Sequence, residues 1–186
     1  GVLVPEVWQA VAKKTEIPQL LKTTRDIPNY DDLMNYRLGI INQHGISLSQ
    51  IQAEIAKLAP LPGAQDFLRW ARRHFQVAII SDTFYEFAMP LMTQLEEPFL
   101  LCHKLKIEED RIVGYRLRQK DPKRNSVKAF KSLSLNVIAA GDSFNDVSML
   151  EEADAGFFFQ APDNVRQQFP QYPLATNYRG LQRLIL

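Results

Sequence analysis

The sequence predicts an α/β protein, a doubly wound parallel sheet carrying a small helical cap domain, on three observations. Residues 6–60 are patterned almost throughout at helical spacing. After Gly63, helical and strand-like segments alternate in the manner of βαβ units. The strand-like segments Val77 to Ile80, Phe99 to Cys102, Val137 to Ala140 and Gly156 to Phe159 are short unbroken apolar runs, the pattern of strands covered on both faces.

Taken in chain order, Val7, Trp8, Val11 and Ala12 give Glu6 to Lys14 one apolar helical face. Pro28-Asn29 supplies a start for a second helix over Tyr30 to His44, where Met34, Leu38 and Ile41 recur at i, i+4 and i+7. A third helix is expected over Ser49 to Leu58, stopped by Pro60 and Pro62. Phe67, Leu68, Ala71 and Phe75 then mark a helix that leads into the strand at Val77. Leu105/Ile107 and Tyr115/Leu117 alternate with polar residues about Glu108-Glu109-Asp110-Arg111, which predicts a hairpin. The expected partition is residues 1–11 and 61–186 as the α/β core and 12–60 as the helical cap. There is no internal repeat or low-complexity stretch.

Composition narrows the function classes. A chain of 186 residues suits one well-cored domain with a small insertion. Hydrophobic residues at 46% and charged residues at 23% exclude a disordered tail or a coiled-coil rod. Lys and Arg number 22 against 21 Asp and Glu with no basic block, so no nucleic-acid footprint is present. The apolar runs are far shorter than the ~20 residues of a spanning helix, so no membrane partner is expected. Gly1-Val2-Leu3-Val4-Pro5-Glu6 lacks the charged and apolar regions of a signal peptide, and the single cysteine, Cys102, cannot form an internal disulfide. The cytoplasm is therefore the expected compartment. Oligomeric state is left open.

Sheets of this kind place chemistry at the carboxyl ends of their strands. Ser81-Asp82-Thr83 follows one strand, Gly141-Asp142-Ser143-Phe144-Asn145-Asp146 follows another, and Asp121-Pro122-Lys123-Arg124 precedes a helix feeding the latter. Asp142 and Asp146 offer hard oxygens to Mg2+, Lys123 a point charge to a phosphoryl group, and Ser81 with nearby N–H groups a phosphate cradle. Each has an ordinary reading alone: Ser81 or Asp82 as a helix cap, Gly-Asp-Ser as a turn, Lys123 as a solvated charge. Their joint order favours phosphoryl transfer. Arg37 falls on a largely apolar helical face, four residues from both Leu33 and Ile41, where a guanidinium needs an anionic partner, an internal ion pair or an outward reach to water. His44 and His74 show no metal spacing and read as structural or surface residues. His103 and Arg116 are expected at the surface, with lining of the site from the hairpin as the alternative, and Cys102 in the core.

These motifs resemble those of the haloacid dehalogenase superfamily of phosphotransferases. Val77 to Thr83 is similar to its second motif, Lys123 to its third, and Ala140 to Asp146 to its fourth. More narrowly, Gly1 to Glu6, Thr23-Thr24-Arg25-Asp26-Ile27-Pro28, Ser81 to Glu86 and Arg118 to Arg124 resemble the bifunctional phosphoserine phosphatase/homoserine phosphotransferase family of bacterial serine and threonine metabolism, along essentially the whole chain. The resemblance implies a Mg2+-dependent enzyme that works through an aspartyl-phosphate, takes phosphoserine as substrate, and uses water or homoserine as acceptor. It implies catalytic roles for Ser81, Lys123, Asp142 and Asp146, with Asp142 as the Mg2+ ligand and Asp146 orienting a metal-bound water. Substrate contacts are implied for Glu6, Arg37, Ser81, Asp82, Lys123 and Asn145: Arg37 clamping the carboxylate and Glu6 recognising the ammonium. Asn145 could instead cap the helix that follows, and Glu6 could be an ordinary first-turn acid.

The family's first motif is a strand ending in D-x-D/E-G-V, with the nucleophile and the acid/base ahead of the Gly, and this sequence begins at that Gly. The expectation is of roughly ten further residues before Gly1, forming a central strand whose absence would leave neighbouring strands with open edges. The 186 residues alone would then lack phosphatase activity. Two rivals stand beside this reading: a phosphatase of the same fold for another small phosphate ester, and a non-catalytic phosphate-binding module.

Overall fold

The computed structural model describes residues 1–23, 26–27 and 29–186. Thr24, Arg25 and Pro28, which belong to one resembling stretch and to the expected start of the second helix, lie outside the described residues. In chain order the elements are α1 (Val7–Thr15), a 3-10 turn (Pro18–Leu21), α2 (Tyr30–Gln43), α3 (Leu48–Ile55), α4 (Ala64–His74), β1 (Ala78–Phe84), α5 (Tyr85–Gln94), β2 (Phe99–Glu108), β3 (Arg111–Arg116), α6 (Pro122–Ser132), β4 (Ile138–Gly141), a second 3-10 turn (Phe144–Asp146), α7 (Val147–Glu152), β5 (Ala155–Phe159), α8 (Asp163–Gln168), β6 (Leu174–Ala175) and α9 (Tyr178–Ile185). The strands form two three-stranded sheets, ordered β1-β2-β3 and β4-β5-β6.

The chain divides into two compact units. One comprises residues 1–4, 60–80 and 119–186; the other, 5–59 and 81–118. In the first unit β4, β5 and β6 are all parallel, with Ile138 opposite Ala155, Gly141 opposite Phe158, and Phe158 opposite Leu174. Alternation along β5 sends Phe158 into a core with Val127, Val147, Leu150 and Val165, and sends Phe157 and Phe159 into a second core with Ala175 and Leu181. Both faces of the sheet are therefore covered, which is why its central strand carries no polar alternation. The N-terminal residues join this unit: Leu61 N–H donates to Leu3 O at 2.9 Å, and the Tyr178 hydroxyl to Val2 O at 2.6 Å.

In the second unit the α2 stripe of Leu33, Met34, Leu38 and Ile41 is buried as its spacing predicts. Asn29 caps α2 by accepting from Asp32 N–H at 3.0 Å. Ser47 and Gln50 form a reciprocal capping box at the start of α3. β2 and β3 are antiparallel, with Leu105 opposite Tyr115 and a register shift between Lys106 and Ile107.

This unit groups residues differently from the sequence-based partition at 12–60, because α5 and the hairpin associate with the helices. Leu48 N–H donates to Asp110 O at 2.8 Å, Asp110 Oδ1 accepts from Ser49 N–H at 3.0 Å, and Gln52 and Gln94 side chains donate to Glu86 O and Leu58 O. These contacts join residues far apart in sequence, which periodicity does not reveal. Phe99 to Cys102 is likewise not a separate buried strand. β2 runs on as the hairpin's first arm, and Phe99 at its start is 57% exposed. No helix among the described residues is long and apolar enough to cross a membrane.

Candidate active site

In the first unit, the chain leaves β4 at Gly141 and coils tightly around one carboxylate. Asp146 Oδ2 accepts from the N–H groups of Asp142 (2.8 Å) and Ser143 (3.0 Å) and from the Ser143 hydroxyl (3.0 Å). Its Oδ1 accepts from Lys123 Nζ at 2.7 Å, both side chains being buried. Lys123 reaches this point from the first turn of α6, which Pro122 initiates. Gly141 is required by close approach: a Cβ there would lie 2.3 Å from the Asp146 Cβ. Burial alone would raise the Asp146 pKa. The Lys123 charge and hydrogen bond, the Asp142 N–H and the Ser143 hydroxyl outweigh that cost and hold the carboxyl below its ordinary range. Both Asp146 oxygens are thus engaged in fixing the loop and Lys123.

Asp142 presents a different face. Its side chain is 26% exposed, and Oδ2 lies 2.9 Å from the Gly1 nitrogen. A partly exposed hard carboxylate oxygen suits Mg2+, which keeps several waters and needs few protein carboxylates. Among the described residues no cluster of three or more His, Cys, Asp or Glu side chains is assembled for a metal. Asn145 is exposed within the second 3-10 turn. It caps neither that turn nor α7, whose N-cap positions are Ser143 and Asp146.

In the second unit, Ser81 and Asp82 lie inside β1 and neither caps α5, where the N-cap position is Phe84. Ser81 Oγ accepts from Thr83 N–H at 3.3 Å, and Thr83 Oγ1 is buried with no hydrogen-bond partner among the described residues. The Tyr30 hydroxyl donates to Asp82 O at 3.0 Å. Burial, followed by the charge of Asp82, pushes the Tyr30 pKa far up, so it remains a neutral donor. His103, expected at the surface, is instead 3% exposed. It sits on β2 against the rings of Tyr30 and Phe84, accepts Arg118 N–H at Nδ1 (3.1 Å), and places Nε2 3.9 Å from Asp82 Oδ1. The alternating pattern of the hairpin gave no sign of this burial. Arg116 and His74 are exposed, as the sequence reading has them.

Arg37 is 7% exposed and neither reaches solvent nor forms an ion pair among the described residues. Its Nη2 donates to Lys22 O at 2.6 Å, its guanidinium carbon lies 4.6 Å from the Trp8 ring centroid, and its Nε has no hydrogen-bond partner among the described residues. Burial lowers its pKa to about 10, against the opposing influence of Tyr30 and Glu6, so the side chain stays cationic at neutral pH. Glu6 occupies the N-cap position of α1 without a side-chain capping bond and accepts from Gln9 Nε2 at 2.6 Å. Trp8 and Tyr30 are neighbours of Arg37 that sequence reasoning did not single out as site residues. Trp8 carried only the signal of an apolar helical face.

The family model of the haloacid dehalogenase-like hydrolases matches residues 6–154. Phosphoserine phosphatase ThrH of Pseudomonas aeruginosa is 60% identical over 187 residues, covering 100% of this chain and 91% of that protein. A phosphoserine phosphatase of Pseudomonas syringae pv. tomato is 59% identical over 184 residues, covering 98% of this chain and 78% of that one. The crystal structure of a phosphoserine phosphatase from T. onnurineus shares the fold, with a TM-score of 0.75 at 24% identity over 97% of this chain and 87% of that one. Fold, motif order and relatives agree on the class, and this chain belongs to the haloacid dehalogenase-like hydrolase family.

Proposed function

We propose that this chain is a phosphoserine phosphatase acting through an aspartyl-phosphate, with Mg2+ as cofactor and water or homoserine as acceptor, in the cytoplasm. The observation that carries the substrate is Arg37. A buried guanidinium with an unpaired Nε–H is a receptor for an anion, and a planar fork suits a carboxylate. Relatives at 60% and 59% identity bearing the phosphoserine phosphatase name support the same substrate. Glu6 would meet the ammonium, and Asp82 and Asn145 would complete the polar surroundings of the substrate.

The chemistry is a double displacement. A carboxylate oxygen of the nucleophilic aspartate attacks phosphorus, the P–O bond to serine breaks, and a general acid protonates the departing alkoxide. The acceptor hydroxyl then attacks phosphorus, gives its proton to that same group, and the carboxylate leaves. Lys123, held by Asp146, contributes positive charge toward the phosphoryl oxygens, and the Ser81 hydroxyl a hydrogen bond. Asp142 would hold Mg2+, which when bound supplies further charge neutralisation at the phosphoryl group. Cys102 takes no part: burial, then Glu86, push its thiol up to about 12.

Arg37→Lys in the complete natural protein is expected to lower kcat/KM for phosphoserine roughly 10- to 100-fold while an aryl phosphate lacking a carboxylate is hydrolysed nearly as before. Parallel steady-state assays on the two substrates check this. Equal losses would assign Arg37 to structure or to the phosphate and would favour another small ester as substrate. Binding of phosphate without turnover of either would favour the non-catalytic module.

Homoserine shares serine's ammonium and carboxylate, and its side chain is one methylene longer. The clamp at Glu6 and Arg37 would therefore present its hydroxyl at high effective concentration. Incubation with phosphoserine and homoserine is expected to yield phosphohomoserine beside phosphate. Phosphate as sole product at every homoserine concentration would leave a plain phosphatase.

A further inference from the structure

We infer that Trp8 is a positioning residue that fixes the orientation of the Arg37 guanidinium and so sets specificity for carboxylate-bearing phosphate esters, an inference that rests on the phosphoserine reading above. A guanidinium withdrawn from water, with no carboxylate paired to it among the described residues, needs compensation for lost hydration. The structure provides it from two directions. The Lys22 carbonyl takes Nη2 at 2.6 Å, and the indole face of Trp8 lies 4.6 Å from the guanidinium carbon.

Among the described residues these contacts leave Nε without a hydrogen-bond partner. The Nε–H of a guanidinium, with a neighbouring Nη N–H, can grip a carboxylate side-on with two parallel bonds. Trp8 is itself braced. Its ring meets Phe87 edge-on at 5.3 Å and 81°, Phe87 is fully buried, and Phe84 packs on Phe87 at 5.9 Å. The aromatic surface beneath Arg37 is therefore held by the core of its unit.

Trp8 also stands two residues after Glu6, at the start of α1, so the same helix end carries the acid proposed for the ammonium and the ring that orients the carboxylate receptor. An aliphatic side chain at position 8 would keep apolar contact and lose the attraction of the π face. The guanidinium would then gain freedom to rotate, and the cost would fall on carboxylate recognition.

The test uses the complete natural protein and three variants, Trp8→Leu, Trp8→Phe and Arg37→Lys, assayed on phosphoserine and on p-nitrophenyl phosphate. Trp8→Leu is expected to raise KM for phosphoserine roughly three- to tenfold with kcat little changed and no change in KM for p-nitrophenyl phosphate, and Trp8→Phe to restore most of the loss. A uniform loss on both substrates, or no loss on either, overturns the inference. If Arg37→Lys is selective for phosphoserine and Trp8→Leu is not, only the role of Trp8 fails. If Arg37→Lys is itself unselective, the carboxylate reading fails with it.

Should Trp8→Leu not fold, Trp70→Phe leaves Trp8 as the sole tryptophan of the two in the sequence. Its emission is expected to change on titration with L-serine and to stay constant with ethanolamine, which has the ammonium and hydroxyl but no carboxylate. Constant emission with L-serine overturns the inference.

Discussion

Asp146→Asn is expected to cost about 3–5 kcal/mol of stability although it exchanges one oxygen for an NH2 group. In the native loop one carboxylate oxygen takes the Lys123 ammonium and the other takes three donors from Asp142 and Ser143. All four partners are donors, so either orientation of an amide points its own NH2 at a donor. One orientation leaves the buried ammonium of Lys123 uncompensated; the other leaves the loop N–H groups unpaired. Urea unfolding of the complete protein checks the magnitude, and a loss below about 1 kcal/mol would mean that the loop is held by other contacts.

The same carboxyl should leave a signature in acid. Its folded pKa lies below the ordinary value, so its contribution is fully present above about pH 4 and is lost as pH falls through the lower folded value. The difference in stability between the natural protein and Asp146→Asn is therefore expected to shrink progressively below about pH 4.

Asp142→Asn is expected to abolish most phosphatase activity and to shift its Mg2+ dependence upward by roughly a hundredfold or more, because the substitution keeps shape and removes the anionic charge of a hard ligand. Asp142 is suited to that role because its side chain is partly exposed, whereas Asp146 is consumed by the loop. Stability should change little, since the exposed carboxylate supports no buried charge. Activity measured against Mg2+ concentration decides the matter, and an unchanged midpoint would make Asp142 a turn residue only.

How much of this was legible before any coordinates depends on the range of the interactions involved. The α2 stripe was, since Met34, Leu38 and Ile41 repeat at a period fixed by helix geometry. The buried strand β5 was as well, since a strand covered on both faces has no need of polar alternation. The grouping of the hairpin with the helices was not, because it depends on contacts such as Leu48 N–H to Asp110 O, across more than sixty positions of sequence.

The site divides in the same way. Motif order marked Asp142, Asp146 and Lys123, but only coordinates distinguish the partly exposed Asp142 from the enclosed Asp146. Arg37 announced itself by sitting on an apolar face. Trp8 did not, because an indole that packs on a core and one that supports a cation occupy the same place in a helical pattern. His103 misled for a related reason: a histidine in an alternating hairpin segment carries no mark of which neighbours will cover it.

The interlock of Gly141 with the Asp146 side chain has a consequence for how such a protein can change over generations. A side chain at position 141 collides with Asp146, and any shift of Asp146 disturbs Lys123, Asp142 N–H and Ser143 together. Substitutions at these positions therefore cannot be judged one at a time, since each alters the meaning of the others. A change at any one of these positions alters what the others must accommodate. Epistasis here is a property of atomic crowding around one carboxylate.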